Sequence, residues 1–258
     1  MKALVTGASS GIGKEMAKYL DSIGYELILV SRDKEKLEEV ANSLKNKSKI
    51  IVMDLRKIDD IKSLYVLVKN DDIDVLVNNA GFGLFGSFTE TDLGRELEMI
   101  DLNIKAYHIL TKLFLKDMKR KNKGYILNVA SSAAFSSGPL MSTYYATKSY
   151  VYRLTEAIYY ELKKENINVH VSCLCPGPVD TNFNRVAGVR FAVKPLTSKY
   201  VAKYAIDKMF KNKMLIVPGF KMKLVRFLNR FISDKQAMRF IYKVQNRKTK
   251  YLSYFFLV

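Results

Sequence analysis

The stretch ALVTGASSGIG at residues 3–13 places an apolar run directly before a glycine-rich turn and the start of a helical pattern. Glycines in such a turn let the backbone approach a pyrophosphate closely, and the N-terminus of the following helix attracts the anion. The glycine spacing is G-x-x-x-G-x-G, which by itself is also compatible with a tight connection between a strand and a helix. Its position in the first strand–helix unit favours the nucleotide-binding interpretation.

The rest of the chain repeats this alternation of short apolar runs and amphipathic segments. The runs are rich in Val, Ile and Leu, which is typical of strands buried on both faces. The pattern predicts an α/β fold, a Rossmann-type doubly wound parallel sheet of about seven strands with helices on both faces. The predicted strands are Ala3–Val5, Glu26–Val30, Lys49–Met53, Asp74–Val77, Gly124–Val129, Asn168–Leu174 and Met214–Val217. The predicted helices cover residues 11–23, 34–46, 58–70, 96–122, 142–165 and 198–212.

Polar and glycine-rich segments follow several of these strands, at the edge where ligands of parallel sheets bind. Asp54 follows the third strand, and NNAG at residues 78–81 follows the fourth. Ser131 and Ser132 follow the fifth strand, and PGPV at residues 176–179 follows the sixth. Each segment alone is also compatible with a helix cap or a turn. Their accumulation at one edge favours a binding site.

Tyr144 and Lys148 lie four residues apart in STYYATKSYV at residues 142–151. Residues with this spacing share one face of a helix. A neighbouring ammonium lowers the pKa of a tyrosine, whose ordinary value is about 10, and makes the phenol a usable general acid. The pair alone is also compatible with a solvated helix face, but the glycine turn favours the catalytic interpretation.

Composition limits the class of protein. A chain of 258 residues with 48% hydrophobic and 26% charged residues is typical of a single soluble α/β domain. The first predicted strand begins at once, so we expect no signal peptide, and no apolar run reaches the length of a membrane span. Cys173 and Cys175 are expected to be buried free thiols, and the histidines show no metal-site spacing, so no metal is predicted. A cytoplasmic location fits these features.

The segment 219–258 has its own electrostatic character. It holds ten lysines and arginines and one acidic residue, which is +9 of the net charge of +18. Leu224, Leu228 and Phe231 fall on one stripe of a predicted helix, and a second helix is predicted over about 234–247. The segment either covers the domain or pairs subunits, or it makes a peripheral contact with an anionic membrane. No motif indicates binding of nucleic acid.

Residues 1 to about 218 resemble the short-chain dehydrogenase/reductase family. The resemblance depends on TGASSGIG at residues 6–13, NNAG at 78–81, Tyr144-x-x-x-Lys148 and the single positions Asp54, Asn103 and Ser131, with Pro-Gly at 176–177. All of them occur in the family's order and at its usual spacing. We therefore divide the chain into a dinucleotide-binding catalytic domain, residues 1–218, and a basic helical extension packed on or continuing the same domain, residues 219–258.

The resemblance implies a role for each of four catalytic residues. Tyr144 would protonate the carbonyl oxygen as a nicotinamide delivers hydride, and Lys148 would lower the pKa of Tyr144 and bind the nicotinamide ribose. Ser131 would donate a hydrogen bond to the reacting oxygen, and Asn103 would hold a water that connects Lys148 to solvent. Family members are commonly oligomers, so we expect a dimer or tetramer.

The resemblance also implies a cofactor site. An arginine after the second strand suits a 2′-phosphate, whereas an acidic residue in this region would select NAD. Arg32 therefore favours NADP(H) over NAD, if Asp33 is interpreted as the cap of the second helix. The implied cofactor residues are Gly7, Ser9, Ser10, Gly11, Ile12, Gly13, Arg32, Asp54, Leu55, Asn79, Ala80, Gly81, Tyr144, Lys148, Pro176, Gly177, Val179 and Thr181.

Substrate contacts are expected from residues 82–88, 133–141 and 182–195, of which the first two are rich in Phe, Leu and Met. The predicted function is an NADP(H)-dependent oxidoreductase that interconverts a lipophilic ketone, aldehyde or acyl compound and an alcohol. Two alternatives stay open: a nucleotide-sensing or scaffold protein on the same fold, and a membrane-associated reductase that docks through its basic tail.

Overall fold

The computed structural model describes residues 1–183, 187, 194–229 and 231–253, and side chains of the final helix as far as Asn246. The strands in this part of the chain are β1 Lys2–Thr6, β2 Glu26–Ser31, β3 Ser48–Val52, β4 Ile73–Asn78, β5 Gly124–Val129, β6 Val169–Leu174, β7 Val179–Asp180, β8 Leu196–Thr197 and β9 Leu215–Ile216. The α-helices are α1 Gly11–Ser22, α2 Lys34–Asn42, α3 Ile58–Val68, α4 Leu93–Ile100, α5 Tyr107–Lys121, α6 Ser142–Lys164, α7 Ser198–Met209, α8 Phe220–Leu228 and α9 Asp234–Ser253. A π-helical segment covers Asp101–Ala106, and a 3-10 helix covers Ser132–Phe135.

Seven strands form one parallel sheet in the order β3-β2-β1-β4-β5-β6-β9. Neighbouring side chains of a strand point to opposite faces. Accordingly, Ala3 and Val5 pack in a core that includes α1 and α7, while Leu4 packs in a second core with residues of α3 and α5. The predicted doubly wound sheet is confirmed, and all seven predicted strands are present. The β1/β4 junction, where the strand order reverses, opens the crevice that holds the site.

The predicted helix over 96–122 differs from the structure, where α4, the π-helical segment and α5 follow one another. A π-helical turn carries one extra residue per turn, and such turns recur at functional sites. Apolar periodicity does not reveal it, because buried residues continue on both sides of the insertion. The segment contains Asn103, whose side chain is fully buried.

Helix α2 ends at Asn42, four residues before its predicted end. The Asp21 carboxylate accepts hydrogen bonds from the backbone N–H groups of Lys45 at 3.0 Å and Asn46 at 2.8 Å. These amides are thereby committed to a loop conformation, which the helical pattern alone did not show.

Cys173 and Cys175 are buried free thiols, as predicted, with their sulfur atoms 3.7 Å apart. Across the described residues, no helix is both long and apolar enough to cross a membrane.

Candidate active site

A cavity of about 700 Å³ lies at the carboxyl ends of the central strands. Most of the residues that the sequence assigned to catalysis or cofactor binding line it. They are Gly7, Ser9, Ser10, Gly11, Ile12, Arg32, Asp54, Leu55, Asn79, Ala80, Gly81, Ser131, Tyr144, Lys148, Pro176, Gly177, Val179 and Thr181. Gly13 and Asn103 lie behind the wall of the cavity and contact residues that line it.

The glycine turn forms a cradle at one end of the cavity. Gly7 has a φ of 64°, and a Cβ there would lie 2.9 Å from Ala80 Cα. A Cβ at Gly13 would lie 2.3 Å from the Gly7 carbonyl oxygen, so α1 packs tightly under the turn. Asn79 Nδ2 donates to the Thr6 carbonyl at 3.0 Å and holds the turn against the end of β4.

The N-terminus of α1 fits the diphosphate of a dinucleotide. Ser10 occupies the N-cap position without a side-chain cap hydrogen bond, so its hydroxyl does not compete for the first backbone amides of the helix. These amides and the positive end of the helix dipole attract a phosphate.

The end of β2 carries the residues that are expected to distinguish the two nicotinamide cofactors. Ser31 and Arg32 line the cavity. Asp33 instead caps α2, where its Oδ1 accepts from the Lys36 backbone N–H at 3.1 Å. The hydrogen bond from the Lys36 side chain lowers the pKa of the Asp33 carboxyl. The interpretation of Asp33 as a helix cap is confirmed.

Arg56 is a cavity residue that sequence reasoning missed. Its Nε donates to Asp54 Oδ1 at 2.9 Å, and its guanidinium also pairs with Glu98 at 2.6 Å. The hydrogen bond from Arg56 holds the pKa of the Asp54 carboxyl below its usual range. Arg56 therefore fixes the carboxylate expected to bind adenine. Its place two residues after Asp54 was the available signal, but the pairing with α4 is not local in sequence.

Tyr144 and Lys148 both project from α6 into the buried end of the cavity, as their spacing predicts. Lys148 Nζ lies 5.9 Å from the centroid of the Tyr144 ring and donates to the Val129 carbonyl at 3.0 Å. Both residues are buried, with 8% and 4% of their surfaces exposed. The phenol and the ammonium therefore share a site from which water is largely excluded.

The predicted lowering of the Tyr144 pKa is wrong for the protein chain alone. Burial raises the pKa of the Tyr144 phenol well above its ordinary value, and the hydrogen bond with Ser131 opposes this only in part. Burial also lowers the pKa of the Lys148 ammonium to about 8. Loss of hydration disfavours both charged forms. Tyr144 is consequently protonated at neutral pH, which is the state that a proton donor requires.

Ser131 and Asn103 complete the cluster. Ser131 caps the 3-10 helix, and its Oγ accepts from the Ala133 backbone N–H at 3.1 Å. Asn103 Nδ2 donates to the Phe82 carbonyl at 2.9 Å, and its Oδ1 accepts from the Phe82 N–H at 3.1 Å. Asn103 thus fixes the backbone that follows β4. Its expected role in holding a water stays a prediction.

The substrate end of the cavity includes Phe82, Met141 and Phe183, one from each of the three predicted segments. Residues 184–186 and 188–193 of the third segment lie outside the described residues.

Sequence reasoning missed the outer wall of this end, which comes from the tail. Gln245 of α9 donates a hydrogen bond to the Tyr145 hydroxyl at 3.0 Å and thereby joins the tail to α6. The i/i+4/i+7 spacing of Ala237, Ile241 and Val244 was a usable signal for this inward face. The tail residues that line the cavity are Met222, Val225, Asn229, Ala237, Phe240, Ile241, Val244 and Gln245.

A glycine cradle at one end of a parallel sheet and a Tyr–Lys–Ser cluster beside it define a dinucleotide-binding enzyme. The family described as short chain dehydrogenase matches residues 1–188, and the chain belongs to this family. The predicted fold, family and enzyme class are confirmed. The chain is an oxidoreductase of the class that acts on CH–OH and C=O groups with NAD(P).

Similar proteins agree with this class. Hydroxysteroid dehydrogenase-like protein 1 of Gallus gallus is 34% identical over 230 residues, which cover 84% of this chain and 67% of the relative. A short-chain dehydrogenase from Sphingobium yanoikuyae, solved with NADPH, is 25% identical with a TM-score of 0.79, covering 85% of this chain and 88% of that one. An alcohol dehydrogenase from Thermococcus sibiricus, complexed with 5-hydroxy-NADP, is 29% identical with a TM-score of 0.71. The match covers 84% of this chain and 94% of that one.

Proposed function

We propose that the protein is an NADP(H)-dependent oxidoreductase that interconverts a lipophilic ketone, aldehyde or acyl compound and the corresponding alcohol. Tyr144 is the general acid in reduction and the general base in oxidation. The observation that carries the proposal is the buried cluster of Tyr144, Lys148 and Ser131 in the same cavity as the glycine cradle.

The side chains of this cluster have complementary roles. When bound, the nicotinamide supplies or accepts the hydride. Ser131 and Tyr144 donate hydrogen bonds to the substrate oxygen and stabilise the negative charge that develops there. Tyr144 transfers its proton to that oxygen, and Lys148 binds the nicotinamide ribose and stabilises the phenolate left behind. Asn103 holds the water through which the proton is replaced.

The rate of carbonyl reduction should depend on the protonation of Lys148. Because burial lowers the pKa of Lys148 to about 8, the ammonium is charged below this pH and loses its charge as the pH rises through it. We expect kcat/KM for NADPH to be constant near neutral pH and to fall about tenfold per pH unit well above pH 8, since this parameter reports groups of the free enzyme. Initial rates measured from pH 6 to pH 10 test this, and a constant value across the range would contradict it.

The preference for NADP(H) is supported by Arg32 in the cavity wall and by the use of Asp33 as a helix cap. A guanidinium matches the geometry of a phosphate, and each hydrogen bond to a charged group contributes roughly 1.5–3 kcal/mol. We expect Arg32→Ala to lower kcat/KM for NADPH roughly 10- to 100-fold and to leave the value for NADH almost unchanged.

Lys34→Ala is the matched control for Arg32→Ala. It removes one positive charge two residues away, from a side chain that pairs with Glu38 and lies outside the cavity. Equal losses in the two variants would show a diffuse charge effect and contradict a specific contact with the 2′-phosphate.

The lipophilic character of the substrate is supported by the apolar side chains at the substrate end, among them Phe82, Met141, Phe183 and Ile241. A screen of aldehydes, ketones and acyl thioesters for consumption of NADPH, repeated with NADH, tests the proposal. We expect higher kcat/KM for long apolar carbonyl compounds. A preference for small charged ketoacids would contradict this substrate class.

The proposal includes the remaining features expected from the sequence. These are a homo-oligomer, dimer or tetramer, in the cytoplasm, the division of the chain at residues 218 and 219, and a peripheral contact of residues 219–258 with an anionic membrane. The basic composition of the tail supports the membrane contact. Light scattering coupled to gel filtration tests the oligomeric state.

A further inference from the structure

Helix α8 has two different faces. Met222, Arg226 and Asn229 are half-buried, and Met222 packs close to Gly177 in the cavity wall. Phe220, Leu224, Phe227 and Leu228 lie on the opposite side of α8, at positions i, i+4, i+7 and i+8, and Phe231 follows the helix with its ring centroid 5.1 Å from that of Phe227. We call this apolar surface the docking face, in which Phe220 and Phe231 are 77% and 72% exposed.

The exposed apolar side chains of the docking face indicate an interaction surface. Soluble monomers rarely expose large contiguous apolar patches, and those that occur mark sites of interaction with proteins or membranes. The hydrophobic interior of the protein does not cover the docking face, since its members point away from the residues that α8 packs inward.

Both helices of the tail carry exposed cations. On α8, Lys221 follows Phe220 of the docking face and Lys223 precedes Leu224, and both lysines are exposed. On α9, the exposed cations Lys235, Arg239 and Lys243 lie opposite the inward residues. An apolar helix face bordered by lysines and arginines is typical of helices that lie in the interface of an anionic bilayer, because the apolar residues enter the acyl region and the cations reach phosphates.

The substrate end of the cavity reaches the same surface. Val225 and Phe240 both line the cavity, yet 47% and 66% of their surfaces are exposed. Side chains with both properties lie at the mouth of a cavity. Val225 belongs to the helix that carries the docking face, so the mouth opens beside it.

We propose that the docking face seats α8 in an anionic lipid bilayer and that the mouth at Val225 and Phe240 receives carbonyl substrates from this bilayer. The substrate is then a lipid-dissolved ketone, aldehyde or acyl compound. The docking specifies the membrane contact included in the proposed function, and the part concerning the substrate rests on the proposed oxidoreductase activity. A second copy of the chain is a poorer occupant, because pairing two docking faces would bring together the lysines that flank them on α8.

Tryptophan fluorescence tests the docking directly, since the chain contains no tryptophan. Phe231→Trp places a single probe on the docking face, and Tyr160→Trp is the matched control at another exposed aromatic position. Tyr160 lies 16 residues after Tyr144 along α6, which is about 24 Å from the catalytic end of the helix. With vesicles of phosphatidylcholine and phosphatidylserine, we expect the emission of Phe231→Trp to shift to shorter wavelength and to be quenched by brominated lipid, and that of Tyr160→Trp to stay unchanged.

The cations are tested by the partition of the protein into the same vesicles. Each lysine or arginine near an anionic surface strengthens binding about fivefold, so the triple variant Lys221→Gln, Lys235→Gln, Arg239→Gln should bind roughly 100-fold more weakly. The control with the same change of net charge is the triple variant Lys62→Gln, Lys112→Gln, Lys116→Gln, which alters exposed lysines of α3 and α5.

Loading from the bilayer is tested by activity. Anionic vesicles should raise the turnover of a long-chain ketone by the wild-type protein and leave that of a short, water-soluble ketone unchanged. The variant Phe227→Ser, Phe231→Ser should lose the stimulation and keep the turnover of the short ketone, which also shows that it is folded.

Four results would overturn the proposal or a part of it. Unchanged emission of Phe231→Trp with anionic vesicles excludes bilayer docking, and a shift that follows protein concentration without vesicles assigns the face to a second copy. Vesicle binding without stimulation of long-chain ketone turnover excludes loading from the bilayer. If no carbonyl compound is reduced while Phe231→Trp still inserts, the proposed function fails and the docking stands.

Discussion

Replacement of Tyr144 by phenylalanine is expected to lower turnover by about 10²- to 10⁴-fold, the usual contribution of a general acid or base. The phenyl ring fills the same space beside Phe183, whose ring centroid lies 5.3 Å away, so the cavity keeps its shape. NADPH binding should change little, because the glycine cradle and Arg32 are untouched. Initial rates and NADPH titration by fluorescence measure the two effects separately.

Tyr145→Phe provides the matched control for this experiment. Tyr145 is the neighbouring phenol, it also lines the cavity, and its hydroxyl bonds Gln245 rather than the catalytic cluster. We expect Tyr145→Phe to retain turnover within about tenfold, the loss of one neutral hydrogen bond. If Tyr144→Phe were equally active, Tyr144 would not be the acid, and a nucleotide-sensing or scaffold role would become the better interpretation.

Gly13→Ala is expected to abolish useful binding of the cofactor. The added Cβ would lie 2.3 Å from the Gly7 carbonyl oxygen and 2.4 Å from Asn79 Nδ2, so the turn or the helix has to move. Overpacking of this kind costs roughly 1–3 kcal/mol of unfolding free energy. Displacement of the turn also removes hydrogen bonds to the diphosphate, and the loss of two corresponds to roughly 100-fold weaker binding or more.

Gly94→Ala separates this steric effect from a general effect of alanine in a helix. Gly94 lies in α4, and a Cβ there would meet only Asp92 Oδ1, at 3.2 Å, a tight contact that a shift of this side chain by a few tenths of an ångström relieves. Because alanine favours helix formation, we expect unchanged or slightly raised stability and normal NADPH affinity. Thermal unfolding and equilibrium titration of both variants check the comparison, and tight NADPH binding by Gly13→Ala would refute the role of the cradle.

The parts of the fold that were predictable are those whose cause is local. The strands appear as apolar runs because both faces of the sheet are covered, and the glycine turn directly follows the first of them. The spacing of Tyr144 and Lys148 sets their shared helix face without reference to the rest of the chain. Such local features account for the predicted strands, for their order along the chain and for the cavity that the glycine turn shares with Tyr144 and Lys148.

The parts that were not predictable depend on contacts between distant segments. The raised pKa of Tyr144 is caused by burial, which the i/i+4 spacing does not report. The sequence on both sides of the π-helical segment at Asn103 has an ordinary apolar pattern, so it gives no sign of the extra residue. The wall contributed by α9 requires Gln245 to meet Tyr145 across 100 residues of sequence.

The bond between Gln245 and Tyr145 has an evolutionary consequence. The residues proposed for hydride chemistry and cofactor binding lie within 1–188, the part of the chain that matches the family, whereas the outer wall of the cavity comes from α8 and α9 beyond it. Selection can therefore alter which molecules enter by changing the tail, while the machinery that reduces them is inherited intact. New substrate preferences can arise by successive substitutions in the tail without an intermediate that has lost activity.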